Sequence, residues 1–135
     1  MIAVDTNVLA RFFVDDPADA EAARQRPAAV AALSEPAFVC VTVLLEFEWV
    51  LRGFYEFPRV EIVRILRALV GIEHVAIEDR AACLRALDAY EAGMDFADAL
   101  HVARCSRARA FRTFDRRLAK SARRAGLELT VEALS

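Results

Sequence analysis

The chain alternates short apolar runs with longer segments of helical pattern, and no turn of the Asn-Gly type joins two such runs. Strands separated by helices cannot form hairpins. They must cross over, which gives parallel pairing and a sheet covered by helices on both faces. The apolar runs are Met1 to Val4, Phe38 to Val41, His74 to Ile77 and Ala110 to Phe114, with Leu127 to Val131 as a fifth. The expectation is an α/β chain with a central parallel sheet of four to five short strands. At 135 residues, 57% of them hydrophobic, residues 1–135 suffice for a single domain with its own core.

Helix boundaries follow from punctuation. Asp16-Pro17 reads as an N-cap followed by proline at the first helical position, opening a helix to about Leu33 that Pro27 kinks or divides. Thr42 caps a helix through about Arg52, which Gly53 ends. Pro58 opens one to Val70, ended by Gly71. Asp79 caps a helix to Glu91, Asp95 one through about Arg107, and Asp115 one to Arg124, ended by Gly126.

Cys40, Cys83 and Cys105 are odd in number, widely spaced and without a Cys-x-x-Cys pair, which argues against a disulfide framework or a structural zinc site. No leader pattern or long uncharged apolar stretch is present, so a cytoplasmic protein with no membrane association is expected. The net charge of −2 is uninformative, but its distribution is not. Nine of the 18 Lys and Arg residues lie between Arg104 and Arg124, where Asp115 is the only acid. That suits a polyanionic ligand beside an acidic site, and equally a solvated surface of two helices.

Four carboxylates stand at strand ends or early in helices: Asp5, Glu46, Asp98 and Asp115. Ligands of parallel sheets bind beyond the carboxyl ends of the strands. Asp5 and Asp115 occupy such places, although each is also a natural helix cap. Asp98 lies three residues after Asp95, so the pair reads either as a cap with an acid in the first turn or as two pocket residues. Glu46 is harder to explain locally. It misses the capping-box position after Thr42, and its helical neighbours Trp49 and Val50 are apolar, so a cationic partner is expected. Glu48, four residues before Arg52, reads as a surface ion pair. Asp98, His101 and Cys105 at helical spacing could hold a transition metal, but a pocket-wall histidine is the simpler reading. Trp49, Phe12 and Phe13 read as core.

Taken together, Val4-Asp5-Thr6-Asn7-Val8-Leu9, Leu45-Glu46, Asp95-Phe96-Ala97-Asp98-Ala99-Leu100-His101 and Thr113-Phe114-Asp115 resemble, in order and spacing, the motifs of PIN-domain ribonucleases, and more narrowly the VapC-type toxins of toxin–antitoxin pairs. The resemblance covers essentially the whole chain. It implies a three-layer α/β/α fold and a metal-dependent endoribonuclease, homodimeric and silenced by a cognate antitoxin. Asp5, Glu46, Asp98 and Asp115 would be the catalytic metal-binding set, with Asp95 as a further ligand. Like charges about 4 Å apart repel by roughly 4 kcal/mol at an effective dielectric near 20, so such a cluster needs a cation. Hard oxygen ligands select Mg²⁺ or Mn²⁺. Thr6, Asn7 and Thr113 would orient the carboxylates, and Arg112 and Arg116 would contact RNA phosphates. Two other readings stay open: a PIN-like module that binds RNA or protein without cutting, and a receiver-like or Asp-nucleophile phosphotransfer domain. Against the second, no Asp follows Asp5 two residues on, and the third strand carries no acceptor Asp.

Overall fold

Helices and parallel strands alternate along the whole chain in the computed structural model, which describes residues 1–135. The chain divides into two compact units, Met1–Glu78 and Asp79–Ser135.

In the first unit, β1 (Ile2–Ala3), β2 (Ala37–Val39) and β3 (Val75–Ile77) form a parallel sheet in the order β1-β2-β3. The central strand is the most buried, with Ala37 and Val39 fully enclosed. The first strand was expected to be buried, but Met1, Ile2 and Ala3 are exposed and only Val4 at its end is covered. The helices are α1 (Thr6–Phe13), α2 (Ala20–Ala32), α3 (Val41–Trp49) and α4 (Arg59–Val70). A π-helical turn, Val50–Phe54, continues α3. Leu9, Phe47, Leu51, Ile62 and Leu69 anchor the core, and Phe13 packs on Phe47 with ring centres 5.9 Å apart.

Several boundaries differ from expectation for physical reasons. Asp16-Pro17 makes a turn, closed by Asp19 N–H donating to the Asp16 carbonyl at 3.2 Å, and proline's fixed φ suits that turn's second position. Asp19 is the true N-cap of α2, its Oδ1 accepting from the Glu21 and Ala22 amides. Pro27 does not divide α2. The Ala23 carbonyl that loses its partner lies on the same helix face as Pro27, and both residues are exposed, so solvent can supply the missing donor. Cys40, not Thr42, is the N-cap of α3, with no side-chain capping bond of its own. The first amide, Val41 N–H, donates instead to Glu78 Oε1 at 2.9 Å, so a carboxylate at the end of β3 caps the helix after β2. Gly53 does not stop the helix but lies within the π-helical turn.

In the second unit, β4 (Phe111–Thr113) and β5 (Val131–Ala133) pair in parallel. Every strand pairing is therefore parallel, within a three-stranded ladder in the first unit and a two-stranded ladder in the second. The fifth strand lies later than the expected Leu127 to Val131. Helices α5 (Arg80–Glu91) and α6 (Phe96–Ala103) pack along each other, both bury small residues, among them Ala82, Ala86, Ala99 and Ala103, and Tyr90 meets Phe96 edge-on at 5.3 Å. Arg85 donates to the Ala103 carbonyl and caps α6 there, four residues short of the expected Arg107. Helix α7 (Arg116–Ala125) buries Leu118, Ala119 and Ala122, and Gly126 ends it at φ 76°, a left-handed conformation that favours glycine. Asp79 occupies the N-cap of α5 with φ 49° but makes no side-chain cap bond. Its Oδ2 accepts from Arg104 Nε at 3.3 Å. No helix is long and apolar enough to cross a membrane, and the three cysteines are free thiols.

Candidate functional site

In the first unit a single residue organises two of the candidate carboxylates. Val4 ends the first apolar run, and Asp5 turns the chain into α1 as its N-cap. Asp5 Oδ1 accepts from Thr6 N–H at 2.7 Å. Thr6 is buried, and its hydroxyl donates to Glu46 Oε1. One threonine thus gives its N–H to Asp5 and its O–H to Glu46, bringing together carboxylates far apart in sequence. The β1–β2 pairing makes this possible, since α1 and α3 leave the carboxyl ends of adjacent parallel strands.

Glu46 itself needs a correction. It is exposed, and Trp49 on the same face is 57% exposed, so that face is not the apolar one. The carboxylate that α3 buries is Glu48, only 2% exposed and paired with Arg52 Nε at 2.8 Å. The Glu48–Arg52 pairing is as expected, but its carboxylate is buried while Arg52 stays half exposed. Phe12 and Phe13 are half-buried. Asn7, expected beside the carboxylates, lines a cavity between α1 and α2.

In the second unit three acids gather electrostatically. Asp95 caps α6, its Oδ2 accepting from Asp98 N–H at 3.0 Å. Asp115 caps α7 by accepting from Leu118 N–H at 3.0 Å, while its own N–H donates to Thr113 Oγ1 at 2.9 Å. Thr113 therefore fixes the backbone at Asp115. Asp98 differs from both, because its half-buried carboxylate receives no hydrogen bond from the protein. Burial raises its pKa above the ordinary carboxylate value, the charges of Asp95 and Asp115 raise it further, and His101 partly offsets them. Cys105 lies beyond the end of α6, so it does not continue the face shared by Asp98 and His101.

The donor set suits a hard divalent cation. All members are carboxylates, and Asp98 is a desolvated acid facing two negative neighbours, which a cation would relieve. Within neither unit do three acidic, histidine or cysteine side chains close around one point. Of the basic candidates, Arg112 is tied to Glu132 by Nε–Oε2 contact at 2.9 Å across the β4–β5 pair, whereas Arg116 is exposed and has no acidic partner. Arg117, Lys120, Arg123 and Arg124 are likewise exposed on α7. Sequence reasoning passed over Glu78 and Arg11. Glu78 follows a strand, as Asp5 does, but its role depends on β2 and β3 being neighbours, which spacing alone does not tell.

No curated protein and no solved structure matches the chain. A family model, PIN domain, matches residues 2–124, which spans every candidate carboxylate. The chain belongs to the PIN domain family, whose members have a nuclease-type α/β fold.

Proposed function

We propose that this chain is a metal-dependent endoribonuclease acting as the VapC-type toxin of a type II toxin–antitoxin pair, and that residues 1–135 work as a single domain. PIN domains are generally metal-dependent nucleases. The observation that carries the reading for this chain is Asp98, a half-buried acid with no donor and two acidic neighbours, which makes sense as one side of a cation site. Asp5, Glu46, Asp98 and Asp115, with Asp95, would hold Mg²⁺ or Mn²⁺. An ion bound there supplies Lewis-acid stabilisation of charge on the scissile phosphate and favours deprotonation of the attacking water.

The chain's own groups do the rest. Thr6 holds the Asp5 and Glu46 carboxylates in fixed orientation, so little reorganisation is left for the moment of reaction. Thr113 fixes the turn that presents Asp115. Arg116 and the exposed basic face of α7 attract the RNA backbone, with Arg112 contributing less because Glu132 shares its charge. Water attacks phosphorus in line, the bond to the 3′-oxygen breaks, and that oxygen takes a proton. The products carry a 5′-phosphate and a 3′-hydroxyl. The acidic set equally suits silencing by a basic side chain of a cognate antitoxin. Homodimerisation and a cytoplasmic location complete the reading.

The test is Asp5→Asn. The amide can still accept from Thr6 N–H, so the fold is retained by circular dichroism, while Mn²⁺-dependent RNA cleavage falls to background. A folded variant that cleaves at the wild-type rate overturns the assignment.

A further inference from the structure

The first unit contains a cavity of about 260 Å³ between α1 and α2, lined by Asn7, Val8, Arg11, Gln25, Ala28 and Ala29. Three of these are polar and converge on walls that are otherwise apolar. Arg11 is held at two atoms, with Nε donating to Gln25 Oε1 at 3.0 Å and Nη1 donating to Tyr55 Oη at 3.2 Å. Gln25 is fixed in turn by its Nε2 donating to Glu21 at 3.3 Å. A guanidinium has five N–H groups. Arg11 uses two, so three have no protein acceptor, and no carboxylate pairs with its charge. The Asn7 amide, adjoining Thr6, has no hydrogen-bond partner in the protein either.

A guanidinium held by two hydrogen bonds, an uncommitted amide and apolar walls of Val8, Ala28 and Ala29 have the chemistry of a nucleobase site. Sequence-selective RNA binding targets unpaired bases, reads their edges by hydrogen bonds and covers their faces with apolar or planar groups. Arginine is the usual partner of an edge with two acceptors, such as guanine O6 and N7. The volume is just below the range for drug-sized ligands, which suits one base rather than a folded peptide segment. We propose that the α1–α2 cavity receives one unpaired nucleobase of the RNA, acceptor edge towards Arg11 and Asn7, and sets a base preference beside the cleavage position. This rests on the nuclease reading for its biological meaning, but binding of the base does not require cleavage.

The experiment is therefore built on binding. Short single-stranded RNAs differing at one position, with G, A, C or U there, are titrated against the full chain without divalent metal, and cleavage of the same RNAs with Mn²⁺ is followed separately. Wild-type protein is expected to prefer G at that position by about tenfold, the smaller end of what one good edge contact discriminates. Ala28→Leu, which fills the cavity from an exposed helix position, and Arg11→Lys, which keeps the charge but not the fork, should both bring the ratio close to one. Thermal unfolding checks that each is folded, and either variant alone suffices for the comparison. A wild type without preference at any position tested, or a preference that survives in a folded variant, overturns the base pocket. So does a result in which the variants weaken only binding of a partner protein. Preference without cleavage would retain the pocket while sinking the nuclease reading. Cleavage without preference would do the reverse.

Discussion

The two compact units carry their acids in opposite conditions. In Met1–Glu78, Asp5 and Glu46 are each satisfied by a donor from Thr6, and the buried Glu48 is paired with Arg52. In Asp79–Ser135, Asp95 and Asp115 cap helices, but Asp98 is left partly desolvated among like charges with no donor. These three carboxylates of the first unit are thus settled by hydrogen bonds, whereas Asp98 of the second has no donor. Position 98 lies in the first turn of α6, where the helix dipole favours an acid, so what sets Asp98 apart is the missing donor and the two like charges beside it.

Asp98→Asn should show the contrast most strongly. Metal-dependent cleavage is expected to fall by about 10³-fold, the equivalent of roughly 4 kcal/mol of transition-state stabilisation. Metal-free protein should become more stable, not less. The sign follows from the raised pKa, because a native acid that binds protons more readily than the unfolded chain loses stability as pH rises through the window from the ordinary carboxylate value up to the raised native one. Metal-free wild type should therefore gain stability from this group as pH falls through that window, and the Asn variant should lack that gain. Urea unfolding across pH 3–7 without metal checks it, and a destabilised Asn variant would show that Asp98 is settled after all.

Glu48 tests the other side of the comparison. Removing a buried, paired carboxylate leaves a void and takes one partner from Arg52, whose side chain is half exposed and can turn to water. Glu48→Ala should cost about 2 kcal/mol of stability, below the usual 3–5 for breaking a buried pair because the partner can be rehydrated. Specific activity of the folded fraction should stay near wild type. Chemical denaturation and an activity assay separate the two effects.

These two glutamates also mark how far the sequence could be read. Local chemistry was legible: Asp5, Asp95 and Asp115 cap helices as their positions imply, since a cap depends only on the next three residues. Strand–helix alternation likewise gave parallel pairing. What failed were features set by neighbours distant in sequence. Which face of α3 is covered decides between Glu46 and Glu48, and apolar spacing around Glu46 suggested the wrong one because Trp49 faces solvent. The cap of α3 comes from Glu78, 37 residues beyond Val41, so Thr42 looked like the obvious local choice. Asp16-Pro17 has the composition of both a helix start and a turn, and only Asp19 two residues later separates them.

Thr6→Val asks whether the settled carboxylates need their donor. Valine matches the buried shape and keeps the N–H to Asp5 but removes the hydroxyl on Glu46. Glu46 is exposed, so water can replace the lost bond and stability should fall by no more than about 1 kcal/mol. Orientation is another matter, since loss of a group supporting a metal ligand typically costs about 10- to 100-fold in metal affinity or activity. A loss near tenfold in Mn²⁺-dependent cleavage, recovered in part at higher Mn²⁺, is expected. Unchanged activity would mean that Glu46 works without Thr6.

The smallest effect concerns the basic surface of the second unit, where Arg112 and Arg116 lie four residues apart yet differ in what holds them. Each phosphate contact on a single strand contributes about 0.7 to the slope of log affinity against log salt concentration. Arg116, exposed and without an acidic partner, should lower that slope by close to the full amount when replaced by alanine. Arg112 is engaged with Glu132, so Arg112→Ala removes a half-spent cation and also leaves an acid near the strand end. Its slope should change by less, while affinity at low salt falls because Glu132 then repels the backbone. Removing both Arg112 and Glu132 should restore that affinity, since the pair contributes little net charge. Titration of a non-cleaved RNA at several salt concentrations measures all three variants, and equal slope changes for Arg112→Ala and Arg116→Ala would show that the ion pair opens when RNA binds.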